Sequence, residues 1–275
     1  MIVYSDASDS ACAACTVEVQ EKVFHRMWTD FERLQSSTWR ELKAIEDALQ
    51  SFSNYLAGKS LKWFTDNQNC EKIVQSGSMK PNLQDMALNI FSTCLSRDID
   101  LDIQWLPRKF NERAVYLSKI VDLDDWCISN SCFDHINSIW GPFTIDRFAS
   151  SSNNKVPRFN SMFWNPGSEH VDCFSCSWKN ENNWLLPPIS LVGKCICHLV
   201  ACKARGVLLV PYWPSSYFWP LLFQGQGLFH TYVADLIEFD DGKRCFVHGE
   251  NKNSLFGSNR FYGKVLAIKL DATMC

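Results

Sequence analysis

The sequence predicts an α/β protein in two parts: a mixed five-stranded sheet with helices, followed by a second α/β region. Three observations predict it. The composition is that of a folded globular chain, 46% apolar and 21% charged over 275 residues. The first part alternates strand and helix patterns in the order strand, strand, strand, helix, strand, helix, helix, strand, helix, which suits a mixed sheet rather than a sandwich or a bundle. Near Asn130 to Trp140 the texture changes. Acidic residues outnumber basic ones over residues 1–140, the balance reverses over 141–275, and the later part is rich in Asn, Ser, Pro and Trp. Domains are therefore expected over 1–130 and 141–275.

Ile2 to Ala7 alternates as a strand, with Ile2, Tyr4 and Asp6 on one face. Ala11 to Val19 and Lys22 to Trp28 read as two more strands. After Ser36-Ser37-Thr38, the residues Leu42, Ile45, Leu49, Phe52 and Leu56 step by three and four, the stripe of an amphipathic helix that Gly58 stops. Leu61 to Thr65 is a buried strand ending at Asp66-Asn67, with a short helix after Asn67. Asn82 to Arg97 reads as a helix, Leu101 to Leu106 as a strand and Asn111 to Lys119 as a short last helix.

Three carboxylates fall where these elements converge: Asp6 in the first strand, Glu41 in the first turn of the first long helix, and Asp66 at the end of the fourth strand. Hard divalent cations take oxygen ligands, and a pair about 4 Å apart activates water and stabilises the leaving oxygen of a phosphodiester. Local roles compete with this. Thr38-Trp39-Arg40-Glu41 has the form of a capping box, and Asp66-Asn67 that of a turn and helix cap. Asp6 resists such a reading, because a carboxylate in an apolar strand is costly unless paired or metal-bound.

Ser5-Asp6-Ala7-Ser8, Trp39-Arg40-Glu41-Leu42, Phe64-Thr65-Asp66-Asn67, and Trp105-Leu106-Pro107-Arg108 with Asn111-Glu112-Arg113-Ala114 resemble the ribonuclease H motifs in order. More narrowly they resemble the ribonuclease H region of DIRS-like retrotransposons, the tyrosine-recombinase retroelements. The resemblance covers about residues 1–125. It implies an endonuclease that cuts the RNA strand of an RNA–DNA hybrid with Mg2+ or Mn2+, a reverse transcriptase domain as partner, and Asp6, Glu41 and Asp66 as the catalytic and metal-binding acids. The sequence departs from the family at Val115, where a fourth Asp is expected. Asp122, Asp124 and Asp125 lie too far beyond the helix to replace it, so activity is expected to be weak or lost. The family's glycine-containing turn after the first Asp is also absent, the chain reading Ser10-Ala11-Cys12-Ala13-Ala14. The alternative is a catalytically inactive nucleic-acid-binding or scaffold fragment of such a polyprotein.

In the second part, Thr144 to Ala149 reads as a strand end, Phe163 to Gly167 as a turn, and Asn183 to Pro188 as an extended segment. A helix is expected over Ile189 to Lys203, a buried strand over Val207 to Pro211, and paired strands over Phe246 to Phe256 and Lys264 to Leu270. The phrases Asp146-Arg147-Phe148-Ala149, Leu186-Pro187-Pro188-Ile189 and Val210-Pro211-Tyr212-Trp213 look like the segment that follows ribonuclease H in DIRS-like polyproteins. That segment is similar to Dam-like adenine methyltransferases. Such an enzyme needs a polar residue before the double proline to hold the amine and an aromatic after it to stack the flipped base. Here Leu186 and Ile189 stand at those places and no glycine-rich loop precedes them, so a degenerate domain is expected, without a cofactor.

The 13 cysteines, with a start Met-Ile-Val-Tyr-Ser-Asp that has no basic n-region, suggest reduced thiols and an intracellular location, cytoplasmic or nuclear. Cys173 and Cys176 with Cys195, Cys197, His198 and Cys202 offer a zinc set of irregular spacing. No apolar run approaches the roughly 18 residues of a membrane span. A net charge of −3 argues against nucleic-acid binding by bulk charge and leaves local phosphate grip open.

Overall fold

In the computed structural model, the strand β1 (Ile2–Ala7) is the centre of the first sheet. Its flanking strands are β2 (Ala11–Thr16) and β3 (Val23–Met27) on one side and β4 (Ser60–Thr65) and β5 (Asp100–Trp105) on the other, in the order β3-β2-β1-β4-β5. β1, β4 and β5 run parallel, and β2 and β3 return antiparallel. The structure describes residues 1–122, 126–225, 228–249, 251, 254–256 and 261–274. The chain divides into two units, Met1–Val121 with Phe163–Gly167, and Asp122–Met162 with Ser168–Cys275.

The helices of the first unit are α1 (Asp30–Arg33), α2 (Ser37–Leu56), α3 (Gln68–Ser76), α4 (Pro81–Ser96) and α5 (Glu112–Leu117). α2 buries Leu42, Ile45, Leu49, Phe52 and Leu56 completely, against Val3, Phe24, Trp63 and the inner faces of α3 and α4. Each such side chain contributes roughly 1.5–3 kcal/mol by leaving water. Arg26 of β3 forms a two-pronged contact with Glu32, at 2.8 Å on each prong, and reaches Asp47 of α2 at 2.6 Å. α2 ends where Gly58 takes a φ of +70°, a conformation that costs glycine little. On the opposite face, Leu117 of α5 packs with Ala13, Cys15 and Tyr4. Trp164 of the piece Phe163–Gly167 meets Phe52 edge-on, its ring centroid 5.7 Å away.

The second strand is shorter than the sequence suggests. Thr16 ends it by accepting the Lys22 N–H in its side chain at 3.0 Å, and Val19 is fully exposed in the turn that follows. The missing glycine turn is replaced by Ser8, whose hydroxyl oxygen accepts from the backbone N–H groups of Ser10 and Ala11 at 3.0 and 3.1 Å. That side-chain turn needs no left-handed residue.

The second unit holds β6 (Trp126–Ile128), α6 (Asn130–Trp140), β7 (Ile145–Asp146), β8 (Asn160–Ser161), β9 (His170–Val171), β10 (Asn182–Leu185), α7 (Val192–Ala201) and β11 (Arg205–Pro211). These are followed by β12 (Phe223–Gln224), β13 (Leu228–Phe229), β14 (Val233–Phe239), α8 (Gly242–Cys245), β15 (Phe246–His248) and β16 (Val265–Asp271). Its main sheet has the order β14-β16-β11-β10-β7. β7, β10 and β11 are parallel, and β16 runs antiparallel between β11 and β14. Gly206 lets β10 and β11 approach, since a Cβ there would stand 2.5 Å from the Asn183 carbonyl oxygen.

One pairing differs from expectation. β16 pairs with β11 and β14, whereas β15 pairs with β6. The edge strand β14 is half-exposed and carries Asp235 and Glu238, so its pattern is weaker than that of a buried strand. The expected helix over Ile189 to Lys203 divides into a 3-10 turn, Ile189–Leu191, and α7. No helix among the described residues is long and apolar enough to cross a membrane.

Candidate metal centre

Asp6, Glu41 and Asp66 meet. Each offers a carboxylate oxygen, and these three oxygens lie within 4.8 Å of one another. The cluster sits at the carboxyl ends of the parallel strands β1 and β4, where open α/β sheets leave a crevice for ligands.

Asp6 is fully buried in the central strand, on the α5 side of the sheet. The Ser118 hydroxyl donates to its Oδ2 at 2.5 Å. Ser118 is held in turn: its carbonyl accepts from the Ser8 hydroxyl at 2.6 Å, tying the turn after β1 to the end of α5. Asn111 donates to the Ser5 carbonyl at 2.8 Å from the other end of α5.

Glu41 stands in the second turn of α2, not the first. The N-cap is Ser36, whose side chain accepts from the Trp39 N–H at 3.2 Å, so the capping role open to Glu41 in the sequence belongs elsewhere. Its helix face is the buried one, and the Ala7 backbone N–H donates to its carboxylate. Asp66 follows β4 directly. Asn67, not Asp66, caps α3, accepting from the N–H groups of Asn69 and Cys70. The Trp105 indole N–H donates to the Asp66 carbonyl at 3.0 Å, fixing the backbone that carries the carboxylate.

Two oxygens of the cluster, Asp6 Oδ1 and Glu41 Oε2, are buried without a hydrogen-bond partner among the described residues. Such atoms are costly in a folded interior. Burial, aided by the neighbouring Asp66 charge, raises the Asp6 pKa against the pull of the Ser118 hydrogen bond. Burial and then the Asp6 and Asp66 charges push Glu41 well above the usual carboxylate range. A hard cation relieves all three causes, and an all-oxygen donor set suits Mg2+ or Mn2+ rather than a soft metal.

Arg108, in the 3-10 turn Arg108–Phe110, brings a guanidinium nitrogen to 3.3 Å from Asp66 Oδ2 and 3.9 Å from Asp6 Oδ1. Neither Arg108 nor Ser118 is assigned a role by sequence reasoning. Ser118 has a readable signal, lying three residues after Val115 and so on the same helix face. Val115 lies near the cluster through it, since the Ser118 hydroxyl oxygen stands 3.1 Å from the Val115 carbonyl oxygen. Asp124 and Asp125 lie outside the described residues.

The cysteine set of the second unit is engaged otherwise. The Cys176 sulfur accepts from Arg147 at 3.4 Å, and His198 Nε2 lies 3.0 Å from the Cys176 carbonyl oxygen. Among the described residues, the metal-sized group of His, Cys, Asp and Glu side chains is the acidic one.

The profile of a family described as the RNase H-like domain found in reverse transcriptase matches residues 1–92. Those residues include all three acids and end before Arg108, Val115 and Ser118. Residues 1–92 are thus similar to an RNase H-like domain of the reverse-transcriptase kind. Ribonuclease H1 from the archaeon Halobacterium salinarum NRC-1 is similar at 21% identity, over 42% of this chain and 92% of that one, with a TM-score of 0.35. LC11 ribonuclease H1, solved with an RNA/DNA hybrid, is 18% identical over 42% of this chain and 91% of its own, with a TM-score of 0.32. The N-terminal ribonuclease H domain of a Mycobacterium tuberculosis protein is 12% identical over 42% and 95%, with a TM-score of 0.32. No curated protein matches the chain.

Proposed function

We propose that the first unit is a ribonuclease H-type endonuclease that cleaves the RNA strand of RNA–DNA hybrids, with Asp6, Glu41 and Asp66 holding Mg2+ or Mn2+. The observation that carries this is the convergence of three carboxylates from β1, α2 and the end of β4, two of them with buried oxygens that have no hydrogen-bond partner among the described residues. A bound divalent ion supplies an activated water and charge for the leaving oxygen. The chain's own groups prepare the place. Ser118 orients Asp6, Ala7 anchors Glu41, and Trp105 fixes Asp66.

The narrower context is a DIRS-like retrotransposon polyprotein, with a reverse transcriptase domain as partner and a cytoplasmic or nuclear location. On this reading residues 141–275 are a degenerate Dam-like methyltransferase-like domain. The three parallel strands support an α/β sheet able to present loops at their carboxyl ends. Leu186 is buried there and Ile189 packs on the apolar core, so neither place holds a polar group for an adenine amine.

Val115 favours a second reading, a non-catalytic nucleic-acid-binding fragment, because it puts methyl groups where the resemblance places a fourth carboxylate. Incubating labelled hybrid with Mg2+ or Mn2+ separates the two. Strand-specific cleavage supports the nuclease, and binding without cleavage supports the fragment.

A further inference from the structure

The acidic centre carries a built-in cation. We propose that the Arg108 guanidinium takes the place of the second divalent ion, so that this centre loads one metal ion rather than two. The inference rests on the metal-centre reading above and deepens it.

Charge is the first argument. Three carboxylates supply three negative charges at full ionisation. One divalent ion and one guanidinium neutralise them, whereas two divalent ions and the guanidinium would leave an excess of two positive charges in a mostly buried cluster. Without the guanidinium, four carboxylates would balance two ions, and the residue at the fourth place is Val115.

Position is the second. The guanidinium nitrogen lies 3.3 Å from Asp66 and 3.9 Å from Asp6 Oδ1, the buried oxygen that has no hydrogen-bond partner among the described residues. The base of Arg108 is fixed. The Phe110 N–H bonds to the Pro107 carbonyl at 2.8 Å, the Asn111 N–H to the Arg108 carbonyl at 2.9 Å, and the Asn111 side chain to Ser5, the residue before Asp6. A guanidinium keeps its charge at any pH the protein survives, so protonation equilibria do not empty this position. Ser118 completes the arrangement from the other side: its hydroxyl donates to Asp6 Oδ2 and its oxygen lies 3.1 Å from the Val115 carbonyl oxygen, so Oδ1 is the oxygen left facing the cation.

The role is read without substrate, by titrating the intact chain with Mn2+ and following the free-ion electron paramagnetic resonance signal. Arg108 is more than half exposed, and near-ultraviolet circular dichroism checks that its variants keep the native packing. Wild type should take up one Mn2+ per chain. Arg108→Gln should bind that ion at least about fivefold tighter, because one competing half-exposed charge is gone. Arg108→Lys, which keeps the charge, should stay near wild type. Arg108→Gln combined with Val115→Asp should take up two ions. Two ions in wild type, equal affinity in wild type and Arg108→Gln, or a double variant that stops at one would each overturn the inference while leaving a metal-dependent nuclease standing. If neither wild type nor Arg108→Gln binds Mn2+, the metal-centre reading falls and the inference with it.

Discussion

Replacing Glu41 by Gln should stabilise the metal-free protein and destabilise the metal-loaded one. Glu41 is 4% exposed, and its ligand oxygen lies within 4.8 Å of those of both Asp6 and Asp66. At an effective dielectric constant of about 20, two charges at that separation repel by roughly 3 kcal/mol, and Glu41 faces two of them. Protonation of Glu41 and the charge of Arg108 relieve part of this, so a net gain of about 1–3 kcal/mol is expected for the variant at alkaline pH in chelator. The pH dependence has a definite sign. The folded pKa of Glu41 is raised, so its contribution is fully present below the unfolded value of about 4.3 and is lost as pH rises through the folded one. Metal-free wild type should therefore weaken with rising pH, and the Gln variant should weaken less. With saturating Mg2+ the order should reverse, because the ion binds the native site and stabilises it. Urea unfolding read by hydrogen exchange on peptides from β1 and α2 isolates the first unit. Equal destabilisation of Glu41→Gln in chelator and in Mg2+ would instead make Glu41 a structural hydrogen-bonding group and no more.

Val115→Asp should increase hybrid cleavage by restoring an oxygen ligand at the place where the resemblance expects one; a variant no faster than wild type would show that this position does not limit the reaction. Calorimetric titration of the chain with S-adenosylmethionine should show no micromolar binding, since Leu186 and Ile189 are apolar and a buried amine without an acceptor costs about 1–3 kcal/mol. Hydrogen peroxide should join Cys132 and Cys245, whose sulfurs lie 3.1 Å apart, in a disulfide, with two thiols oxidised and the peroxide reduced to water. The adjacent Cys245 thiol lowers the Cys132 pKa and favours its thiolate; peptide mass mapping that finds both thiols unmodified would contradict this.

Much of the site is legible in the sequence because its residues break local rules. A carboxylate at position 6 conflicts with the apolar strand around it, and Glu41 sits one position before Leu42 on a helix whose buried stripe is regular. The point where α2 begins is less legible, because Ser36 and Thr38 are both plausible caps and only the backbone decides between them. Arg108 escapes local reasoning because its meaning comes from partners 42 residues away or more in sequence. α6 is missed for a different reason. Its Asn and Ser residues resemble a linker, yet Cys132, Phe133, Ile136 and Trp140 keep a helical spacing and Ser129 caps it. The assignment of Phe163–Gly167 to the first unit rests on long-range contacts such as Trp164 with Phe52, which no local pattern encodes.

On the proposed function, the three acids perform metal-dependent hydrolysis of the RNA strand of a hybrid. Its most direct test is cleavage of an RNA–DNA hybrid, labelled on each strand in turn, by wild type and by Asp66→Asn in Mg2+ and in Mn2+. Wild type should cleave the RNA strand alone, slowly and only with metal, and Asp66→Asn should not cleave it. Equal cleavage by the two proteins, or cleavage of the DNA strand, would contradict this.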